Sequence, residues 1–310
     1  MPSPKATILE RLRASPEPVS GESLAEELGV SRVAVWKQLE ALREAGYALE
    51  ADRSGYRLAA EKDFLYPWEF AGREDRIVRY ERTDSTMDRA LELALADPGR
   101  PAVVVAEAQS AGRGRRGRRW NSPRGGLFAT LVVPPELRPW RAERLTMAGA
   151  VALCESLRAL TGEPFSLAWP NDLFLGGRKA AGLLIEYLVE GDEERLSLLG
   201  LGVNVANRAP GEGAFSLAEL AAPRPTRRDI LSAFLDRFEA IGLEWEGLPA
   251  AWNSLSSQAG NPVLSRDDDR RLGRALAVDA EGRLLVGLEG GGEAAFRPGE
   301  AKLATKELLA

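Results

Sequence analysis

The chain of 310 residues is 45% apolar and carries a formal charge of −5. That length suits two or three cores at about 100–200 residues each, and the acidic balance argues against a globally basic nucleic-acid binder, though not against a local basic face. Histidine is absent and Cys154 is the single cysteine, which excludes Ser-His-Asp and Cys-His catalysis, His-ligated zinc, multi-cysteine metal clusters and an intramolecular disulfide.

The start "MPSPKATILERLR" lacks the apolar core of a signal peptide, and no run approaches the roughly 20 apolar residues of a membrane span. The expectation is a soluble, cytoplasmic chain with no membrane contact. Residues 1–60 carry three helical stretches and a hairpin. "ILERLRA" is amphipathic. "SGESLAEELGVSRVAVWKQLEALREAGY" supplies two more helices. The first is opened by Ser20, or by Ser23 with Glu26 as capping-box partner. Ser31 opens the second after a Gly29 turn. Val35, Leu39 and Leu42 keep helical spacing, while Ser31, Arg32, Lys37 and Gln38 fall on other faces. "YALEADRSGYRLA" alternates around a "DRSG" turn, as a two-stranded wing does. Together these resemble a winged helix-turn-helix whose second helix, about 31–45, enters the DNA major groove through those four polar residues. A trihelical interaction domain that touches no DNA is the alternative.

Residues 61–75, "EKDFLYPWEFAGRED", show no clear periodicity and read as a linker. From 76 to 258 strands and helices alternate: a strand and polar turn in "RIVRYERTDST", a helix in "MDRALELALA", strands in "AVVVAEAQ" and "GGLFATLVV", then the long helix "ERLTMAGAVALCESLRAL". "FSLAWPNDLFL", "KAAGLLIEYLVE" and "RLSLLGLGVNV" supply further strands, and residues 226–258 return to helix. Residues 259–310 hold short strands typical of a small β-barrel. The fold class is α+β: a winged helix, a central mixed sheet with helices, and the barrel.

Residues 113–119 place five arginines in seven positions, separated by glycines. "GRGRRG" formally fits the dinucleotide-binding fingerprint, but that motif needs a helix directly afterwards, and "RRWNSPRGG" cannot start one. A disordered nucleic-acid arm is a second reading, although this stretch lies between two apolar strands. The third is an anion clamp, disordered and self-repelling alone and ordered by its guest, with arginine forks for phosphate or carboxylate and glycines that let the backbone wrap closely.

In "WPNDLFLGGRKAAGLLIE", Trp169 before Pro170 is expected to be extended, which would project Asn171 and Asp172 from a strand end. Oxygen ligands there suit a nucleotide and magnesium; a plain structural turn is the alternative. Lys179 is the only lysine between residues 63 and 301, where the composition favours arginine, so a compact mobile charge is expected to be needed there. Ser85 and Thr86 stand at a strand-to-helix turn and could equally be caps. "GLGVNVAN" places glycines where a ligand could approach a strand, with Asn204 at the same end.

Taken in order, "DST…EAQSAGRGRRGRRW…SPRGG…WPND…RKAAGLLIE…GLGVNV" resembles the biotin–protein ligases, and with the winged helix it is similar to their bifunctional ligase/repressor class. The resemblance spans essentially the whole chain and implies an SH3-like barrel for 259–310. It implies an enzyme that makes biotinyl-5′-adenylate from biotin and ATP with Mg2+, then biotinylates a lysine of a carboxylase carrier domain. It also implies a homodimer that binds operator DNA.

By that resemblance Ser85, Thr86, Gln109, Arg113 and Arg115 hold biotin, Gly114 allows close approach and Gly182 lines the pocket. Arg116 and Arg118 face the phosphates and Trp120 stacks on adenine. Asn171, Asp172 and Asn204 serve the nucleotide, with Asp172 on magnesium, and Lys179 bridges biotin carboxyl and phosphate. Lys179, Arg115 and Arg118 are thereby the catalytic candidates. Two positions depart. The family reads Lys-Trp-Pro-Asn-Asp, but position 168 is alanine, and Met87 stands where many members carry asparagine. Ala168 implies either impaired catalysis, leaving a DNA-binding biotin sensor, or a compensating arginine nearby. A lipoate ligase, with a similar core, is a third option that the full arginine motif disfavours.

Overall fold

The computed structural model describes residues 2–97, 100, 102–133, 142–190, 193–241 and 245–304. The chain forms two compact units, Met1–Arg79 and Tyr80–Ala310.

The first unit is built from α1 (Pro4–Ala14), α2 (Gly21–Leu28), α3 (Arg32–Glu44), β1 (Ala48–Ala51) and β2 (Tyr56–Ala60). Ser3, Ser20 and Ser31 cap the three helices through their hydroxyls, so Ser20, not Ser23, opens α2. Gly29 ends α2 in the left-handed region, φ 64°. Ile8, Leu9, Leu24, Leu39 and Leu42 are fully buried between the helices. The wing turn is held by Asp52, whose Oδ1 accepts from the amides of Ser54 and Gly55.

Residues 61–75 are not a free linker. Leu65 is fully buried, and Phe64, Tyr66 and Trp68 pack on the helical core. Tyr66 Oη donates to Ala45 O, Lys62 Nζ donates to Gly46 O, and Trp68 Nε1 donates to Tyr47 Oη. Glu69 is buried, accepting from Tyr47 and pairing with Arg13 at 3.0 Å. The segment is a strap across the C-terminal end of α3. An aromatic strap of this kind has no sheet or helix period, which is why the pattern was uninformative.

The strand β3 (Ile77–Tyr80) leads into the second unit. There follow α4 (Thr86–Ala96), β4 (Val103–Ala106), β5 (Leu127–Val132), α5 (Ala142–Thr161), β6 (Ser166–Ala168), β7 (Asp172–Leu175), β8 (Arg178–Glu190), β9 (Glu193–Val203), α6 (Arg227–Ile241) and α7 (Leu248–Leu255). The expected helix over 226–258 is thus two helices, with residues 242–244 outside the described set. The central sheet runs β4-β5-β9-β8-β7-β6, each neighbouring pair antiparallel, and an isolated parallel bridge outside the named strands joins Thr83 to Gln109.

The C-terminal strands β10 (Pro262–Ser265), β11 (Arg271–Val278), β12 (Leu284–Leu288), β13 (Glu293–Phe296) and β14 (Ala301–Leu303) form an antiparallel sheet ordered β13-β12-β11-β10-β14. This is the region expected as an SH3-like barrel. No helix among the described residues is long and apolar enough to cross a membrane.

Candidate active site

The site grows from the pairing of β8 with β9. Gly182 stands opposite Gly202 and Leu184 opposite Gly200. Alternation along the strands sends Leu183 and Leu199 to the other face, where α5 packs so closely that a Cβ on Gly149 would strike both. The glycine face is left as a floor. Met87 of α4 lies over Gly200, and the Trp120 indole lies directly on Gly202. Met87, the departure from the family pattern, is therefore a wall of the site.

Two chambers stand on this floor and share Trp120 and Gly182. A narrow slot of about 30 Å³ is lined by Ser85, Thr86, Gln109, Arg113 and Thr130 as well. A wider cavity of about 320 Å³ is lined by Gly114, Arg115, Arg118, Asn171, Asp172 and Lys179. In the slot, Gln109 Oε1 accepts from the amide of Thr86 at 2.7 Å and from its Oγ1 at 3.1 Å. Thr130 Oγ1 donates to Thr86 Oγ1 at 2.8 Å, and Gln109 Nε2 donates to Ser122 Oγ at 2.9 Å. Ser85 caps α4, its Oγ accepting from the Met87 amide. Thr130 and Ser122 were missed from the sequence; their only signal is a hydroxyl within or just before the apolar strand β5.

The arginine segment is a closed turn. Gly114 N donates to Arg118 O, Trp120 N donates to Gly112 O, and Arg113 bridges Arg119. Sequence alone implied disorder through repulsion, but Arg113 is neutralised by Asp88 at 2.6 Å and Glu186 at 3.0 Å. Arg113 thus clamps the segment to α4 and β8. The glycine that sterics demand is Gly112, where a Cβ would press on Ser122 and Trp120; at Gly114 the nearest atom is an ordinary 3.4 Å away.

Arg115 Nη1 reaches Asn171 Oδ1 at 3.3 Å, and Arg116 Nη2 donates to Gly299 O at 3.1 Å without lining either chamber. One face of the Trp120 ring is laid against β9 at Gly202, and the ring lines both chambers. Asn204 is buried and accepts from Asn207 Nδ2, and its amide donates to Ala180 O. It braces the strand beside Lys179 and lines neither chamber.

Lys179 reaches the cavity through a bulge. Asp172 pairs with Gly182 and Leu173 with Ala181, but Phe174 pairs with Lys179. The skipped residue, Ala180, turns Lys179 to the face that carries Asp172. Lys179 Nζ lies 2.6 Å from Asp172 Oδ1 and 5.2 Å from the Trp120 ring centre. Trp169 and Pro170 form the turn between β6 and β7, and the peptide bond joining them is cis.

On the first unit, Arg32 and Lys37 are exposed, Gln38 is half-buried, and Ser31 spends its hydroxyl on the α3 cap. Val33 and Trp36, 63% and 51% exposed, share that surface of α3 and were not singled out from the sequence.

Residues 80–204 match the biotin/lipoate A/B protein ligase family, and residues 5–57 match a helix-turn-helix (HTH) domain family. The bifunctional ligase/repressor BirA of Bacillus subtilis (strain 168) is 31% identical over 295 residues, covering 88% of this chain and 90% of that protein. The chain belongs to the bifunctional biotin ligase/repressor family. A second relative in this ligase/repressor family, BirA of Escherichia coli (strain K12), is 32% identical over 93% of this chain and 96% of its own length. Among solved structures, a biotin protein ligase from Aquifex aeolicus in complex with biotin and ATP superposes with a TM-score of 0.64 at 26% identity. It covers 74% of this chain and 98% of that one.

Proposed function

We propose that the chain makes biotinyl-5′-adenylate from biotin and ATP, passes biotin to a lysine of a carboxylase carrier domain, and represses transcription by binding operator DNA as a homodimer. The observation that carries the chemistry is the pair of chambers joined at Trp120 and Gly182, with Lys179 at the junction. Biotin would occupy the slot on Ser85, Thr86 and Gln109, and the nucleotide the wider cavity.

In the first step an oxygen of the biotin carboxylate attacks the α-phosphorus of ATP, and the bond to the bridging oxygen of pyrophosphate breaks. Both reactants are anionic, so the chain's task is positioning and charge neutralisation. Lys179, held by Asp172, is placed to move onto the carboxylate and the α-phosphate, while Arg115 and Arg118 face the phosphates. In the second step the carrier lysine, as a free amine, attacks the acyl carbon; AMP leaves and the amine's proton passes to solvent. The arginine turn shields the water-labile anhydride until then.

Asp172 is the one carboxylate on the cavity wall, and the described residues hold no cluster of three or more metal-ligating side chains. That donor set fits magnesium, which binds through one or two carboxylates plus substrate phosphates. Bound there, it would neutralise phosphate charge.

The dimer is proposed to form along β8. β7 pairs with its first residues, up to Gly182, and Asn171 takes both backbone groups of Leu183. This leaves 184–188 without a strand on that side among the described residues, and Tyr187 and Leu188 expose apolar surface beside it. A second copy of the same edge would complete the ladder with two-fold symmetry. Paired winged units, residues 1–60, would then read a two-fold operator through Arg32, Lys37 and Gln38, leaving residues 76–258 to the ligase chemistry and 259–310 as the C-terminal domain.

Incubation with biotin, MgATP and a carrier domain, followed by mass spectrometry, tests the ligase. A carrier that gains no biotin sinks it. The alternative of an impaired sensor rests on Ala168. If Ala168→Lys raises adenylate formation strongly and the parent chain binds operator without labelling a carrier, the sensor reading replaces the ligase.

A further inference from the structure

The arginines near the site divide by what they touch. Arg113 is answered by Asp88 and Glu186. Arg115, Arg116 and Arg118 have no carboxylate at ion-pair distance among the described residues, and neither has Arg266, from the C-terminal sheet. The carboxylates whose charge reaches Arg115 and Arg266 are taken: Asp172 by Lys179 and Asp269 by Lys302.

Arg266 follows β10 and is held by its neighbours on the 299–301 turn. Its amide donates to Glu300 O and its Nε donates to Ala301 O, both at 3.0 Å. Arg116 reaches the same turn at Gly299 O. Pro298, one residue before, lines a cavity of about 200 Å³ together with Arg115 and Pro170, and Trp169 Nε1 donates to Gly282 O at 3.0 Å. The C-terminal sheet therefore abuts the "AWPND" segment, in which Ala168 stands for the family's lysine.

Burial, then the charges of Arg116 and Arg118, hold Arg266 below the ordinary arginine range, and burial, then Arg266, do the same to Arg115. Like charges gathered without a carboxylate carry a cost that a multiply charged anion removes.

We infer that Arg266 is a substrate-binding residue of the adenylation site, which the C-terminal sheet delivers to the β- and γ-phosphates of ATP in place of the cation missing at position 168. The inference rests on the ligase reading and adds to it a phosphate contact from outside the arginine turn. Pyrophosphate, as leaving group, meets the same guanidinium.

Calorimetric titration of the full chain with MgATP, AMP and biotin tests this, using Arg266→Ala and, as a control on the same sheet, the exposed Arg274→Ala. Arg266→Ala should weaken ATP about 10-fold or more and leave AMP and biotin unchanged, with Arg274→Ala matching the parent. Adding Ala168→Lys to Arg266→Ala should restore most of the loss. Arg266→Lys, which keeps the charge and the stem, should fall between parent and alanine, and it keeps the test open should the alanine variant fail to fold. Unchanged ATP binding in Arg266→Ala overturns the inference, as does an equal loss for AMP, which would mark a structural role. A parent chain that prefers ATP to AMP through Arg266 yet makes no adenylate would sink the ligase reading alone. A parent chain that binds ATP no tighter than AMP sinks the inference, whether or not adenylate forms.

Discussion

Gly202→Ala probes the junction of the two chambers. A Cβ there would stand 2.5 Å from Cε2 and Nε1 of Trp120 and 2.9 Å from Cζ2, against about 3.5–4.0 Å for a relaxed carbon contact. The indole must retreat by roughly 1 Å or more, and overpacking of this kind costs about 1–3 kcal/mol. Gly202 is not among the positive-φ glycines, so alanine in an unobstructed strand would instead gain about 0.4–1 kcal/mol by restricting the unfolded chain. The sign of the effect is therefore set by Trp120. In the parent background alanine should destabilise; in Trp120→Ala it should be neutral or stabilising, a coupling of about 1–4 kcal/mol. Chemical denaturation of the four proteins measures it. An equal cost of Gly202→Ala in both backgrounds would refute the placement of the indole on β9.

Gly55 has φ 145°, and a Cβ there would lie on the Val19 carbonyl, so Gly55→Ala should distort the wing and weaken operator binding in a gel-shift assay while adenylate formation persists. Burial pushes the Cys154 thiol up from 9.0 to about 11, and its Sγ–H donates to Phe165 O. Because the folded value is the higher one, the stabilisation holds below pH 9 and is lost as pH rises toward 11. At pH 8 the native thiol should react with a disulfide reagent about 100-fold more slowly than in denaturant; equal rates would contradict its burial. Glu107 and Arg227 form a buried pair at 2.6 Å, with side chains 7% and 6% exposed. Glu107→Ala should cost about 3–5 kcal/mol in thermal or denaturant unfolding, and a loss below about 1 kcal/mol would show that the pair is solvated.

The parts of the fold that the chain states locally were legible. Ser20 and Ser31 cap helices, Gly29 ends one, and Val35, Leu39 and Leu42 form a buried stripe, because each depends on neighbours within four residues. Ser85, Thr86, Gln109, Asn171, Asp172 and Lys179 do gather around the two chambers. What stayed hidden depends on partners distant in sequence. The Ala180 bulge that turns Lys179 inward is a property of pairing and leaves no mark in composition. Arg113 looked like one more cation until Glu186, 73 residues away, was seen to meet it. Trp120 as a lid on Gly202, Asn204 as a brace, and Arg266 beside the arginine turn are tertiary facts of the same kind. Residues 61–75 failed for another reason: their aromatics bind by shape and hydrogen bonding, which no period records.

That strap has a practical meaning for anyone cutting the polypeptide. A fragment ending at residue 60 would strip the cover from Tyr47 and the α3 terminus, remove Glu69 from Arg13, and offer greasy surface to its neighbours. One extended to Arg79 keeps its own fastening, and so should stay monodisperse where the shorter piece clumps.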